Sequence, residues 1–368
     1  MRLYGWLAGR RLALLAALAA LVGLASFSAS SDWGFFSWGS RLLFGQHERF
    51  IWEDGSSGGL HLYAHHPILQ VGPPSLLLAR LLVITPGDGA YAAAALIMLL
   101  GYVAVICLDR TFMGVNEGQR LRLLIGGAAV IGVWGSIEHF GHLDDALALA
   151  CVAAACLAVR RQSAVVAGLL LGLAAASKPW AVVLLPMVLA LAGRRRRATA
   201  MLASLAVVGL CWLPFVLADT RTFYVGNESI EFHQASPLAA LGFQASHHPA
   251  VIRLVQFALG AAACAAAVLR GRWYVAPLAA FAVRLAIDPL AYPYYVVGPL
   301  LGAALLDLAA WRRPLLVATP VVLVGWIAAQ SLPLPWNARA DLASLLAGVA
   351  ICGYVAVRGG PASTVSRG

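Results

Sequence analysis

Charge is what this sequence has least of: only 11% of its 368 residues are Asp, Glu, Lys or Arg, against about 25% in a soluble domain. With 61% hydrophobic residues and a mean hydropathy of +0.82, a soluble globular fold is excluded. An all-α polytopic membrane protein is expected. Lysine is scarcer still. Lys178 stands alone among 26 basic residues, the rest being arginine. The six cysteines (Cys107, Cys151, Cys156, Cys211, Cys264 and Cys352) all fall inside apolar runs. Neither a disulfide framework nor a thiolate metal site follows from that placement. Basic–aromatic patches are missing, so the net charge of +10 points to orientation in a membrane rather than to nucleic acid. Also missing are internal repeats and the matched, Gly/Pro-broken helices of inverted-repeat transporters.

What is present is a series of apolar runs separated by arginine. Candidate spans are 12–29, 89–108, 123–137, 145–159, 163–177, 179–193, 199–218, 251–269, 273–287, 291–308, 314–331 and 341–357, with 74–86 as a re-entrant or interfacial helix. The first run is taken as a retained helix rather than a cleaved signal peptide. With the N-terminus in the cytoplasm and loops alternating, 18 of the 26 basic residues fall on the inner side. Thirteen of the 16 acids and all nine histidines fall at or near the outer side. The positive-inside rule thus supports about twelve transmembrane helices, both ends cytoplasmic and an external active face. One transmembrane domain is expected over 1–357, with long outer loops at 30–73 and 219–250 and a disordered cytoplasmic tail over 358–368. Loops of that length usually have a function. The arginine- and alanine-rich bias resembles that of high-GC bacteria such as actinobacteria, which implies a bacterial plasma membrane.

Four constellations carry chemistry. In "AAASKPWAVVLLP", the clusters Arg160–Arg161 and Arg194–Arg197 flank a stretch that must turn at Pro179. Each leg is about 15 residues, roughly 22 Å as α-helix, which is short of a core of roughly 30 Å. Lys178 is therefore expected in a recess, at a helix N-terminus suited to a phosphate; a snorkelling lysine is the plain alternative. The adjacent outer turn, "WGSIEHFGHLDDALALA", brings Glu138, His139, His142, Asp144 and Asp145. These residues suit sugar binding, proton relay or, less well, a metal; Asp144 or Asp145 also suits a helix cap. Asp32 follows the first run among Trp33, Phe35, Phe36 and Trp38, either as a carboxylate base at a sugar-sized cleft or as a cap. His65, His66 and Gln70 are candidate substrate contacts. So are Tyr294 and Tyr295, beside an Arg284–Asp288 pair at i, i+4 whose arginine suits an anionic headgroup.

The run Gly172–Ala181, "GLAAASKPWA", followed by Leu185–Pro186, resembles the mannosyltransferases of glycosyltransferase family 87. The short basic start, one span and an acid directly after it in a long outer loop are similar to the GT-C superfamily of membrane glycosyltransferases. That resemblance implies a GT-C-like fold and an inverting transfer of mannose or another hexose or pentose. The donor is a polyprenyl-phosphate sugar, the acceptor a lipid or glycan on the outer face. It implies Asp32 as general base and Lys178 facing the donor phosphate. The chemistry itself adds Arg284 as a further cation for the leaving phosphate, and a monophosphate stabilised by cations needs no metal or other cofactor. A "P-x-S-W-x-H-H" run frequent in the family is absent, which marks a divergent member. A lipid-linked-sugar flippase, or a non-catalytic scaffold of envelope synthesis, is the competing reading.

Overall fold

The computed structural model describes residues 2–27, 32–47, 58–112, 117–224, 232–243, 250–310 and 316–358. Among these the chain is helical throughout, with no strand. Helix α1 (Arg2–Ser26) is followed by the short α2 (Trp33–Leu43) and α3 (Leu62–His65), then α4 (Pro73–Leu82). Next come α5 (Ala90–Thr111), α6 (Glu117–Phe140), α7 (Leu143–Arg160) and α8 (Ala164–Ser177). A 3₁₀ segment, Pro179–Ala190, leads to α9 (Arg194–Ala218), α10 (Pro237–Ala240) and α11 (Ala250–Leu269). The chain ends with α12 (Ala276–Ala286), α13 (Val297–Ala310), α14 (Ala318–Ser331) and α15 (Trp336–Arg358).

Among the described residues, seven helices are long and apolar enough to cross a membrane: Gly9–Ser26, Gly87–Thr111, Gly118–Phe140, Arg194–Ala218, Val251–Leu269, Pro293–Ala310 and Trp336–Val357. Each matches an expected span. The protein is a multi-pass membrane protein. Four further expected spans coincide with shorter apolar segments, Ala164–Ser177, Pro179–Ala190, Trp273–Ala286 and Ala318–Ser331. The last, α7, is long enough but carries Asp144, Asp145 and Arg160. Helix α4 occupies the place of the expected re-entrant element, opened by Pro73 and Pro74 where a missing N–H costs nothing. Of the expected tail over 358–368, Arg358 ends α15 and 359–368 lie outside the described residues, as do 30–31, 48–57, 225–231 and 244–249 of the long outer loops.

Helix α1 packs on α5 and α6. Arg11 holds Asp109 through Nε at 2.9 Å and Nη2 at 3.0 Å, and the Tyr102 hydroxyl donates to the Leu12 carbonyl. The hairpin holding Lys178 differs from expectation in its second leg, which is 3₁₀ rather than α. Pro179 opens this leg, where a missing N–H costs nothing, but Pro186 removes a backbone donor inside it and would break an i→i−4 ladder there. Twelve residues at about 2.0 Å each give roughly 24 Å, and the fourteen of α8 roughly 21 Å. Both legs remain shorter than a bilayer core.

At one end of α13, Asp307 is fully buried yet completely employed. Its Oδ1 accepts from the Val317 and Ala318 N–H groups, both at 3.0 Å, and its Oδ2 from Thr319 at 2.7 Å. Those are the orphan donors at the start of α14, so Asp307 caps a helix from across the fold. Arg122 Nη1 donates to its carbonyl at 2.7 Å. Ten residues back along α13, about 15 Å, the chain enters the tyrosine-rich segment that borders the polar cluster described next.

Candidate active site

Two tight turns and one extended segment assemble the cluster. Gly141, at φ 73°, reverses the chain between α6 and α7, a conformation that glycine adopts without strain. This turn presents His142 and, one residue into α7, Asp144 and Asp145. Lys178 sits between α8 and the 3₁₀ segment with an extended backbone, its N–H donating to Ala174. The Gly72 N–H donates to the Ser177 carbonyl at 3.0 Å. A Cβ at Gly72 would lie 1.8 Å from the Ala176 carbonyl oxygen, so glycine is obligatory for the segment after Gln70 to reach this turn.

Lys178 is not a bare cation. Its Nζ lies 2.6 Å from Asp144 Oδ2 and 3.0 Å from Asp145 Oδ2, and Trp180 Nε1 donates to Asp145 Oδ1 at 2.9 Å. Asp144 is fully buried and Asp145 nearly so. The cap residue of α7 is His142, although Asp144 Oδ1 also accepts from the Asp145 N–H of the first turn at 2.9 Å. The snorkelling alternative for Lys178 is removed, since its ammonium is directed at two buried carboxylates. Its hydrogen bond goes to Asp144 Oδ2, while Asp145 Oδ2 is met only at ion-pair distance, so of its three N–H groups at least one stays available to a ligand.

His142 joins this buried pair to Asp32. Its Nε2 lies 3.2 Å from Asp32 Oδ2, while its Nδ1 is 3.5 Å from both Asp144 Oδ1 and Asp145 Oδ2. Burial works against the imidazolium, yet the Asp144 and Asp32 carboxylates prevail and raise its pKa. Tyr294 stacks on the imidazole, with ring centroids 4.2 Å apart. Asp32 precedes α2 but makes no side-chain cap hydrogen bond. Instead its backbone N–H donates to the Phe140 carbonyl at 2.9 Å, which ties it to the Gly141 turn. Its side chain is 52% exposed, the accessible carboxylate of the group.

Arg284 stands on the opposite wall. Its Nη2 bonds Asp288 Oδ2 at 2.7 Å, and Arg253 Nη1 lies 3.8 Å from Asp288 Oδ1. The expected i, i+4 pair is thus present, but two guanidiniums share one carboxylate and leave a net positive charge. Arg284 Nε is buried without a hydrogen-bond partner. Its guanidinium lies 5.4 Å from the Tyr295 ring and 6.0 Å from the Trp180 ring, distances suited to cation–π attraction. Arg284, Asp145, Tyr294 and Tyr295 line one small cavity of about 10 Å³, room for about one water molecule. A phosphate requires this cavity to widen.

The remaining expected contacts divide. His66 is buried against Trp38, with centroids 5.1 Å apart. His65 is exposed beside Arg221, whose Nη2 lies 3.4 Å from its Nε2. The sequence reading missed that His61, four residues earlier, joins His65 and Asp219 in a group with metal-ligand spacing. The i, i+4 spacing of the two histidines was the available signal. Arg221 already occupies Asp219 at 2.6 Å and holds that carboxyl down to about 2. Glu138 is buried and accepts from the Ser26 hydroxyl, and His139 Nδ1 meets the Ser26 carbonyl at 2.9 Å. These two fasten α1 to α6 and belong to the wall rather than the centre. Gln70 lies in the segment that reaches Ser177. His142, Asp144 and Asp145 also have metal-ligand spacing, but the Lys178 ammonium fills the position a cation would take.

Comparison with known proteins follows this geometry. A search of curated proteins returns no match. Among solved structures the chain is similar to that of ArnT from Cupriavidus metallidurans bound to undecaprenyl phosphate. That similarity is at 15% sequence identity and a TM-score of 0.47, over 96% of this chain and 78% of that one. The profile of glycosyltransferase family 87 matches residues 70–293, which is more than half of the sequence and contains every candidate site residue except Asp32, His65, His66, Tyr294 and Tyr295. The chain belongs to glycosyltransferase family 87, as its "ASKPW" run led us to expect, and is a multi-pass membrane glycosyltransferase.

Proposed function

We propose that the protein transfers a sugar from a polyprenyl-phosphate donor to a hydroxyl of a lipid or glycan acceptor, with inversion, and that Asp32 is the base. The observation carrying this is the unequal condition of three carboxylates in one cluster. Asp144 and Asp145 are buried and share Lys178 as counter-ion, whereas Asp32 is half exposed and oriented through His142. A base must reach the proton it removes, and only Asp32 can meet an incoming hydroxyl. In the reaction the acceptor oxygen bonds the anomeric carbon while its proton passes to the Asp32 carboxylate. The bond from that carbon to the phosphate oxygen breaks, and the lipid phosphate departs with the electron pair.

The leaving phosphate gains charge and needs preorganised cations. Arg284 and Arg253, with one positive charge to spare, and the remaining N–H of Lys178 supply them. Lys178 would then act in two directions, fixing the acidic pair and touching the donor. Because an ammonium and two guanidiniums fill these roles, the chemistry needs no metal. Mannose or another hexose or pentose fits the family resemblance, as does an active face on the outer side of a bacterial plasma membrane with both termini cytoplasmic. A flippase would need polar groups along a through-path. The titratable cluster gathers instead at one end of α7, α8 and α13. Purified protein incubated with a panel of polyprenyl-phosphate sugars tests the proposal: release of lipid phosphate is expected from at least one donor. Release from none, by folded protein in lipid, overturns it.

A further inference from the structure

A second cavity, of about 250 Å³, lies beside the cluster between the tyrosine segment, α14 and α15. Its polar wall is Tyr292, Tyr295, Trp326, Gln330, Asn337 and Asp341. Asn337 and Asp341 are four residues apart on α15 and so share a helix face. Among the described residues, Asp341 has no hydrogen-bond or ion-pair partner, and neither does the Gln330 carboxamide. Asn337 Oδ1 accepts from the Ala338 N–H at 2.7 Å, which leaves its amide hydrogens facing outward as donors. The indole of Trp326 is locked in place, its Nε1 donating to the Pro293 carbonyl at 2.9 Å.

We infer that this cavity binds one sugar ring of the acceptor, so that the acceptor is a glycoside rather than a simple lipid alcohol. Three properties select that occupant. A carboxylate without a partner and two carboxamides offer acceptors and donors to a ring of hydroxyls, and fixed aromatic faces offer flat apolar surface. The volume is below the 300 Å³ or so at which drug-sized ligand sites begin, which limits the occupant to about one ring. An unpaired carboxylate repels a phosphate, so the donor headgroup is excluded and a neutral polyol is admitted. Position agrees as well. Tyr292 on the cavity wall stacks on Tyr294 with centroids 5.4 Å apart, and Tyr294 stacks on His142. Because His142 also contacts Asp32, the Tyr292–Tyr294–His142 stack places a ring held here next to the cluster that contains the base.

That the ring belongs to the acceptor rests on the transferase reading above; that a sugar binds here does not. The test therefore has two arms. Saturation-transfer NMR on the full-length protein in nanodiscs, with methyl hexopyranosides and methyl pentofuranosides as probes, reads binding without catalysis. Signal is expected for the wild type, with loss of most of it in Asp341→Asn and in Gln330→Ala; the latter sits at an exposed helix end and leaves the fold intact. Donor turnover then separates the two ideas. Asp341→Asn is expected to keep hydrolysis of the donor by water within twofold, while raising the KM for the best methyl glycoside at least tenfold. No probe signal in the wild type, or an unchanged signal and KM in both variants, overturns the inference. Probe binding that is lost in the variants, in a protein that turns over no donor, upholds the sugar site and defeats the proposed reaction instead.

Discussion

The two ends of α13 treat buried acids in opposite ways. At Asp307 both carboxylate oxygens are occupied by three backbone N–H groups of α14, and the residue has no spare capacity. At the other end, Asp144, Asp145, Asp32 and His142 crowd one lysine, and the accounts do not close. Asp145 Oδ2 and His142 Nδ1 are buried within ion-pair distance of neighbours but make no well-directed hydrogen bond. Unmet capacity in a buried polar network is costly, and folding alone would favour the Asp307 solution. A cluster that keeps free valences beside a half-exposed carboxylate is arranged for a ligand. The sequence presents both as acids next to apolar runs; only the satisfaction of each oxygen tells them apart.

The contrast can be broken at either end. Lys178→Ala should have the largest effect on stability, because it leaves two buried carboxylates without a counter-ion; losing one partner of such a pair costs about 3–5 kcal/mol. Chemical unfolding in detergent checks this, and adding Asp144→Asn should restore part of the loss. Recovery of nothing would show that the pair does not hold the turn. Asp307→Ala should cost about 1–3 kcal/mol, the usual penalty for stranding buried donors. Its donor turnover per folded molecule should stay unchanged, and a selective loss of turnover would erase the distinction drawn here.

The smallest effect concerns pH. His142 has a raised pKa when folded, so its contribution to stability is fully present below the unfolded value of about 6.5. It is lost as pH rises through the folded value. Wild-type thermal stability should therefore decline from pH 6.5 toward pH 8, and His142→Gln should flatten the profile over that range. An identical slope in both proteins would remove His142 from the coupled cluster.

Much of this was legible beforehand. Arginine clusters at 160–161 and 194–197 forced the turn at Pro179, and the positions of Asp32 and Lys178 singled them out. Three things were not legible. The partnership of Lys178 with Asp144 and Asp145 spans more than thirty residues and depends on how α7 packs on α8, which hydrophobic pattern does not encode. The 3₁₀ form of Pro179–Ala190 was signalled only by Pro186, a cue easily read as a kink. Asp341 stands at the start of an apolar run with nothing in the sequence to single it out; its significance lies in the cavity it faces and the partner it lacks.

The central claim is that Asp32 alone among the clustered carboxylates takes the acceptor proton. The most direct test is the rate of sugar transfer per folded molecule by Asp32→Asn, with the donor that the wild type uses. General-base catalysis contributes about 10²- to 10⁴-fold, so a fall of at least a hundredfold with unchanged thermal stability is predicted. Full activity in Asp32→Asn would contradict the account and pass the role of base to the Asp144–Asp145 pair.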